Sequence, residues 1–349
     1  MSTLLTALIK AYEIQGCFQI RNSFNAIGLD HVILVKLSAT AVTCWLLGLS
    51  ESQTHAALSH VWMDGHPLRT YRHAPNTGPR KGWAGGDACM RAVHLSLLTK
   101  AGQPGAPTVL SAPRWGFYAA MFNDQEFSFH RPFGTWVIEN IFFKLVPAEG
   151  HAISAIEAVL KINRTMAEEN LDPSRDIAIV RVRTHAGAIL IINKSGELHN
   201  AADRDHCMQY MMAVTFLKGA LIEYADYGDT SPWASDPRVA ELRAKMELVE
   251  EERYSKEYLD VDKRSAATGV TVVLKSGREL EEVSIEYPLG HALRTETVAA
   301  VQEKIRKNLR RAFTRQQVEH IIQSVESEDM SVKDFVNLFA KEQDSHPRL

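Results

Sequence analysis

Residues 69–87 read RTYRHAPNTGPRKGWAGGD, and this stretch is the strongest guide to the organisation of the chain. It contains four glycines, two prolines and five basic residues, which are Arg69, Arg72, His73, Arg80 and Lys81. Proline interrupts helices and glycine permits backbone conformations that other residues avoid, so the pattern predicts a loop between two helices. Such a basic loop suits a small polyanion, whereas the alternative is a solvated turn. The interleaved Tyr71 and Trp83 favour ligand binding.

The composition is that of a globular protein with room for two domains. The chain has 349 residues, of which 45% are hydrophobic and 23% charged. A net charge of -3 argues against nucleic-acid binding, which usually requires a basic domain. The basic run at 304–315 is spread around a predicted helix and is interpreted as a solvated face rather than a nucleic-acid patch.

The four cysteines lie far apart and form no C-x-x-C pair. This spacing predicts no zinc site, iron–sulfur cluster or disulfide framework, and it favours a reducing compartment. The chain shows no secretory signal, and its most apolar run, 31–49, contains Lys36 and is interpreted as a core helix. We therefore expect a soluble intracellular protein, cytoplasmic as the chain stands, or located in the mitochondrial matrix if a targeting segment precedes it.

Periodicity predicts helices at both ends of the chain and a mixed region between them. The apolar spacing and a Ser50–Gln53 capping pair indicate a helical segment 1–65. Further helices are predicted at 87–98, 151–168, 205–221, 237–254, 295–325 and 331–341. Alternation predicts a strand at 176–192 and a hairpin at 269–288 around residues 275–277. The fold class is therefore mainly α, with an α+β part inserted between helical segments.

Several long motifs in a fixed order resemble the MmgE/PrpD family. Besides 69–87, they are AYEIQG at 11–16, GLDHV at 28–32, LSAPRWGFY at 110–118, RPFGTWVIENIFFK at 131–144, PAEGH at 147–151, NAADRDHCMQY at 200–210 and EYPLGH at 286–291. The resemblance implies a helical domain formed by residues 1–143 and 289–349, with an α+β lid at 144–288. It also implies a homodimer that uses no metal or other cofactor.

The implied activity is a hydro-lyase reaction on a tricarboxylate, namely dehydration of 2-methylcitrate or a related alkylcitrate to the cis-aconitate product. An alkylcitrate of a specialised biosynthetic pathway is an alternative substrate, and decarboxylation of cis-aconitate is a less favoured reaction. The family's helical domain normally begins upstream of AYEIQG, so we expect the chain to be truncated at its N-terminus. A non-catalytic remnant or interaction subunit is therefore an alternative of another class.

The expected reaction needs a base, an acid and fixed positive charge. The predicted catalytic residues are Lys81, His31, Tyr210, Lys144, Glu149 and His151. Lys81, His31, Lys144 and Glu149 are assigned with the help of the resemblance, which matches them to pocket positions. The tyrosine hydroxyl is a candidate acid, and His151 is a candidate substitute for the imidazole that Glu149 replaces.

The predicted substrate-binding residues all lie in the basic stretch. They are Arg69, Arg72, His73, Asn76, Thr77 and Arg80. Arginine binds both oxygens of a carboxylate, while Asn76 and Thr77 can donate hydrogen bonds. Each assignment has a structural alternative: surface ion pairs for the arginines, turn formation for Asn76 and Thr77, helix capping for His31, a core aromatic for Tyr210 and a hinge for His151.

Overall fold

A computed structural model of the chain describes residues 1–73, 76–325, 327 and 330–340. The chain divides into two compact units. The first comprises Met1–Leu68, Ala84–Asn140 and the described part of Val301–Leu349, and the second comprises Arg69–Trp83 and Ile141–Ala300. The domain boundaries expected after residues 143 and 288 stay predictions.

Helices dominate both units. In chain order the α-helices are α1 Ser2–Arg21, α2 Val32–Leu46, α3 Glu51–Met63, α4 Arg80–Lys100, α5 Phe117–Met121, α6 Trp136–Glu139, α7 Ile153–Glu168, α8 Pro173–Asp176, α9 Ala186–Ile192, α10 Ala201–Arg204, α11 Met208–Lys218, α12 Pro237–Ala244, α13 Glu252–Leu259, α14 Thr297–Leu309, α15 Arg315–Val325 and α16 Val332–Asn337. Short 3-10 helices occur at Phe24–Ile27, Arg69–Arg72, Gly150–Ala152, Tyr224–Tyr227 and Pro232–Ala234. The helices and the single small sheet described below confirm the predicted fold class.

The second unit contains a four-stranded sheet of order β2-β1-β3-β4. The strands are β1 Ile177–Thr184, β2 Met246–Glu250, β3 Thr268–Leu274 and β4 Val283–Ile285. Strand β1 runs parallel to β2, with Val182 opposite Leu248, and antiparallel to β3, with Val182 opposite Val270. The β3–β4 pair is antiparallel and confirms the predicted hairpin.

Each unit has its own hydrophobic core. In the first unit, α1, α2 and α3 pack in sequence, and Ile33, Leu34 and Trp62 are buried among phenylalanines. In the second unit, α7 packs on β3, β4 and α11, and its Ile156 and Val159 are fully buried. Helix α3 begins at the predicted capping box, in which Ser50 and Gln53 each accept a backbone N–H of the other.

Four expected elements differ from the structure. The helix predicted over 295–325 is interrupted at residues 310–314, between α14 and α15. The strand predicted over 176–192 ends at Thr184, and the rest forms α9, because Ala188 and Ile192 are spaced four apart and share one buried face. The helix predicted over 237–254 is interrupted by β2, whose backbone pairs with β1 instead. The loop predicted over 69–87 ends at Pro79, and α4 already begins at Arg80.

The early start of α4 has a clear cause. Ala84 and Ala88 extend the buried stripe of Ala92 and Leu95 toward the N-terminus, so packing outweighs the low helix propensity of glycine. Pro75, part of the original argument for a loop, lies outside the described residues. The helix predicted at 331–341 is found as α16, and residue 341 also lies outside them.

Candidate active site

Lys81 lies at the centre of a cluster of charged side chains in the second unit. It stands in the first turn of α4, and its Nζ lies 2.6 Å from Oδ1 and 2.8 Å from Oδ2 of Asp205. The same Nζ lies 2.8 Å from Nδ1 of His206, and that nitrogen is 2.7 Å from Asp205 Oδ1. Asp205 and His206 occupy the short turn between α10 and α11. A lysine, a carboxylate and an imidazole are therefore all within hydrogen-bonding distance of one another.

The pKa values of Lys81 and Asp205 both lie below their ordinary values. Burial lowers the pKa of Lys81, the Asp205 carboxylate opposes this shift, and the nearby charges of Lys144 and Arg72 lower it further. Burial alone would raise the pKa of Asp205, but the hydrogen bonds and charges of His206 and Lys81 bring it below its ordinary value. Lys144 and Arg72, two further cations predicted for this site, belong to the same unit as Lys81.

A second carboxylate–imidazole pair lies on the segment before α7. Both oxygens of Glu149 are within 2.9 Å of His151 Nδ1, and Glu149 Oε2 also accepts the His151 backbone N–H at 2.9 Å. Burial would raise the pKa of Glu149, but the His151 hydrogen bonds outweigh it and lower the value to about 2. The Glu149 backbone N–H donates to the Asp205 carbonyl at 3.2 Å, which joins this pair to the Lys81 cluster.

The His151 pair continues to two residues that were not singled out in the sequence. His151 Nε2 lies 3.0 Å from the Tyr258 hydroxyl, and the Tyr258 ring stacks on His185 with 4.1 Å between ring centroids. His185 is fully buried, and neither of its ring nitrogens has a hydrogen-bond partner among the described residues. Burial and the nearby His151 lower the pKa of His185 to about 4, so the ring is neutral near neutral pH.

The sequence contained a signal for some of these residues. Asp205 and His206 belong to the motif NAADRDHCMQY, from which only Tyr210 is predicted as a catalytic residue. His185 follows directly on β1, where a polar residue at a strand end is a candidate site residue. Tyr258 lies on α13 and had no such signal.

The predicted binding residues make different contacts. The guanidinium groups of Arg72 and Arg80 lie 5.0 and 5.4 Å from the Tyr71 ring centroid, and Arg80 also lies over Trp83. These cation–π contacts explain the interleaved aromatic residues. Burial, Arg69, Lys194 and His206 lower the pKa of His73.

Asn76 and Thr77 connect the 3-10 helix to α4. The Asn76 side chain is exposed, and its backbone N–H donates to the His73 carbonyl at 2.8 Å. Thr77 is buried, and its hydroxyl has no hydrogen-bond partner within the described ranges. Its carbonyl accepts from Asn200 Nδ2 at 3.2 Å. A substrate contact for Thr77 stays a prediction.

Two predicted residues lie outside these contacts. Tyr210 is buried, its hydroxyl donates to the Asp226 carbonyl at 2.8 Å, and burial raises its pKa to about 12. His31 immediately precedes α2 in the first unit, as expected, and its Nδ1 lies 3.3 Å from Oδ1 of the buried Asp30. A catalytic role for either residue stays a prediction.

No metal site is evident in the described part of the chain. Within residues 1–73, 76–325, 327 and 330–340, no three His, Cys, Asp or Glu side chains are grouped so that they could hold a metal ion. None of the helices in these ranges combines the length and the apolar character needed to cross a bilayer.

Comparison with known proteins connects this geometry to a family. The MmgE/PrpD N-terminal domain model matches residues 1–130, and the MmgE/PrpD C-terminal domain model matches residues 146–329. The chain belongs to the MmgE/PrpD family. The C-terminal match begins just before Glu149 and includes Asp205, His206 and Tyr258, while the N-terminal match includes Lys81.

Curated relatives of this MmgE/PrpD chain carry dehydratase names. The 2-methylcitrate dehydratase-like protein oryR of Aspergillus oryzae is 52% identical over 97% of this chain and 69% of its own length. The alkylcitrate dehydratase phiI of a fungal species is 51% identical over 100% and 69%. The 2-methylcitrate dehydratase, mitochondrial, of Yarrowia lipolytica is 46% identical over 97% and 65%.

The alignments with the three relatives cover 97% to 100% of this chain and 65% to 69% of the relatives' own lengths. The matches themselves give no support to the expected N-terminal truncation. The doubt about catalytic activity rested on a missing segment, so the argument for a non-catalytic remnant is not supported either.

Proposed function

We propose that this chain is a dehydratase that eliminates water from 2-methylcitrate, or from a related alkylcitrate, to give the cis-aconitate product without a metal ion. The observation that carries the proposal is the contact of Lys81 with both Asp205 and His206, in a unit that also supplies Lys144 and Arg72. The names of the relatives support the reaction class, and the positive charge around Lys81 supports a substrate with several carboxylates.

Removing water from such a substrate breaks a C–H bond next to a carboxylate and a C–O bond on the neighbouring carbon. A base takes the proton, the electron pair forms the carbon–carbon double bond, and an acid protonates the departing hydroxide. Negative charge grows on the carboxylate as the proton leaves, so fixed cations close to it lower the barrier. Lys81, Lys144 and Arg72 are placed to supply that charge, with Arg69 and Arg80 as further carboxylate ligands and His73, Asn76 and Thr77 as hydrogen-bonding groups.

The two carboxylate–imidazole pairs support the acid–base part of the proposal. In each pair a carboxylate lies within hydrogen-bonding distance of a ring nitrogen and orients the ring, which is an arrangement that general acid–base catalysis by histidine uses. His206 Nδ1 lies within 2.8 Å of both Lys81 and Asp205, and His151 is held by Glu149. We assign base chemistry to the Lys81–Asp205–His206 cluster and acid chemistry to the Glu149–His151 pair. Catalytic roles for His31 and Tyr210 stay predictions.

A spectrophotometric assay tests the proposal, since the conjugated product absorbs in the ultraviolet. We expect turnover of 2-methylcitrate or an alkylcitrate by the purified chain, and a fall in kcat of about 10²–10³-fold for Lys81→Met. Lys161→Met is the matched control, because Lys161 is a half-exposed lysine of α7 that pairs with Glu157 at 3.8 Å. Wild-type rates for Lys81→Met, or no turnover of either substrate by folded protein, would refute the proposal.

The alkyl chain of the substrate is a separate question within this proposal. A relative that is 51% identical is named an alkylcitrate dehydratase, which favours testing a longer-chain substrate beside 2-methylcitrate. The ratio of kcat/KM for the two substrates decides between them.

We also propose a homodimer, as the family resemblance implies. Size-exclusion chromatography with light scattering should give twice the chain mass of 39.0 kDa, and a monomer would contradict it.

A further inference from the structure

We propose that Tyr258 is the terminal proton donor of the site, and that it is supplied by His151 and held in place by His185. This inference rests on the proposed dehydratase function and adds a residue that the sequence did not indicate. It also assigns the tyrosine acid to α13 rather than to Tyr210, whose hydroxyl is buried and donates to the Asp226 carbonyl.

The two ring nitrogens of His151 have different partners. The Glu149 carboxylate can only accept, so Nδ1 of His151 carries a hydrogen and donates it at 2.8 Å. Nε2 lies 3.0 Å from the Tyr258 hydroxyl. Both ring nitrogens are therefore engaged, and any proton that leaves the imidazolium toward a ligand must pass through the Tyr258 oxygen.

The direction of the hydrogen bond between Tyr258 and His151 depends on the protonation of the His151 ring. When the ring is neutral, the Tyr258 O–H donates to Nε2, and when it is protonated, Nε2–H donates to the Tyr258 oxygen. In the proposed step, the Tyr258 O–H bond breaks and its proton joins the departing hydroxide to form water. The Nε2 proton of the imidazolium replaces it, so the imidazole ends neutral and the phenol is restored. No ring has to rotate.

Tyr258 is accessible at the surface, and its ring is packed against His185. Tyr258 is 38% exposed, whereas His185 beneath it is fully buried. The two rings are almost parallel, with an interplanar angle of 14°. The ionisable groups that act on Tyr258, His151 and their neighbours are Glu149, His151 and His185, and His206 acts on Glu149. Burial and the negative charge of Glu149 raise the pKa of Tyr258, which keeps the phenol protonated as a donor must be.

Tyr258→Phe is the decisive variant, because it removes the hydroxyl and keeps the ring that stacks on His185. We expect kcat to fall by about 100-fold with little change in KM, and the alkaline limb of the kcat–pH profile to flatten. Tyr254→Phe is the matched control on the same helix, since the Tyr254 hydroxyl bonds Ser284 Oγ at 3.0 Å. Its kcat and pH profile should stay within about twofold of wild type.

The outcomes separate this inference from the proposed function. An active wild type with an unchanged kcat and pH profile in Tyr258→Phe overturns the proton donor alone. An inactive wild type refutes the dehydratase, and nitrogen NMR of His151 then tests the proton chain without turnover. Proton transfer through Tyr258 requires that wild-type His151 is the Nδ1–H tautomer. It also requires that the nitrogen chemical shift of His151 Nε2 changes in Tyr258→Phe. If Tyr258→Phe does not fold, the tautomer of wild-type His151 tests the inference alone. The Nδ1–H tautomer supports it, and the Nε2–H tautomer overturns it.

Discussion

Glu149 and His151 stabilise the folded chain as well as forming part of the proposed site. Glu149 is largely buried, and it remains charged because His151 offers two N–H donors to its carboxylate. An ionised carboxylate that is buried without such donors would be costly. The free energy of unfolding should therefore depend on pH through the titration of Glu149.

Glu149→Gln should reveal this dependence. The folded pKa of Glu149, about 2, lies below its ordinary value near 4.5, so the ionised carboxylate stabilises the fold above about pH 4.5 and progressively less as the pH falls toward 2. At pH 7 we expect the variant to lose about 3 kcal/mol of unfolding free energy, an order-of-magnitude value from the pKa shift.

Urea denaturation of both proteins between pH 7 and pH 3 measures the difference. The difference should shrink on acidification, and a constant difference would contradict the assignment. Glu168→Gln, at an exposed position near the end of α7, is the control and should leave stability unchanged at every pH.

At the level of elements, α4 shows why a glycine-rich sequence that predicts a loop can form a helix. Gly82, Gly85 and Gly86 all adopt helical backbone, and a Cβ atom added to any of them would meet nothing within 4 Å. Local propensity argued for a loop, but the buried alanine stripe of α4 could be recognised only once its packing partners were known. The same reason applies to β2, which forms by pairing with β1 rather than from its own pattern.

A pair of glycine substitutions tests this distinction. Gly85→Ala should raise the free energy of unfolding by about 0.5–1 kcal/mol, because alanine loses less entropy in a helix. Gly290→Ala should lower it by more than about 2 kcal/mol, because Gly290 has φ +110° and its Cβ would lie 2.1 Å from the Phe143 carbonyl oxygen. Thermal denaturation of the two variants should shift in opposite directions, and shifts of the same sign would contradict this account.

At the scale of the whole molecule, the proposed chemistry depends on protein side chains alone. Dialysis against EDTA should therefore leave kcat and KM unchanged. Activity measured before and after dialysis, with and without added Fe²⁺ or Mg²⁺, checks the prediction. A loss that one of these ions restores would contradict the metal-free part of the proposal.

The family, the fold class and the hairpin could be predicted from the sequence, because they depend on motifs and periodicities that are local in the chain. A catalytic role for Lys81 was predicted from the same motifs and stays a prediction. Only the tertiary structure decided that Lys81 meets Asp205 and His206, more than a hundred residues away, and that His151 continues to Tyr258 and His185. The physical reason is that a hydrogen bond or a paired charge depends on separations of about 3 Å, and those separations arise from tertiary packing within the second unit rather than from the spacing of residues along the chain.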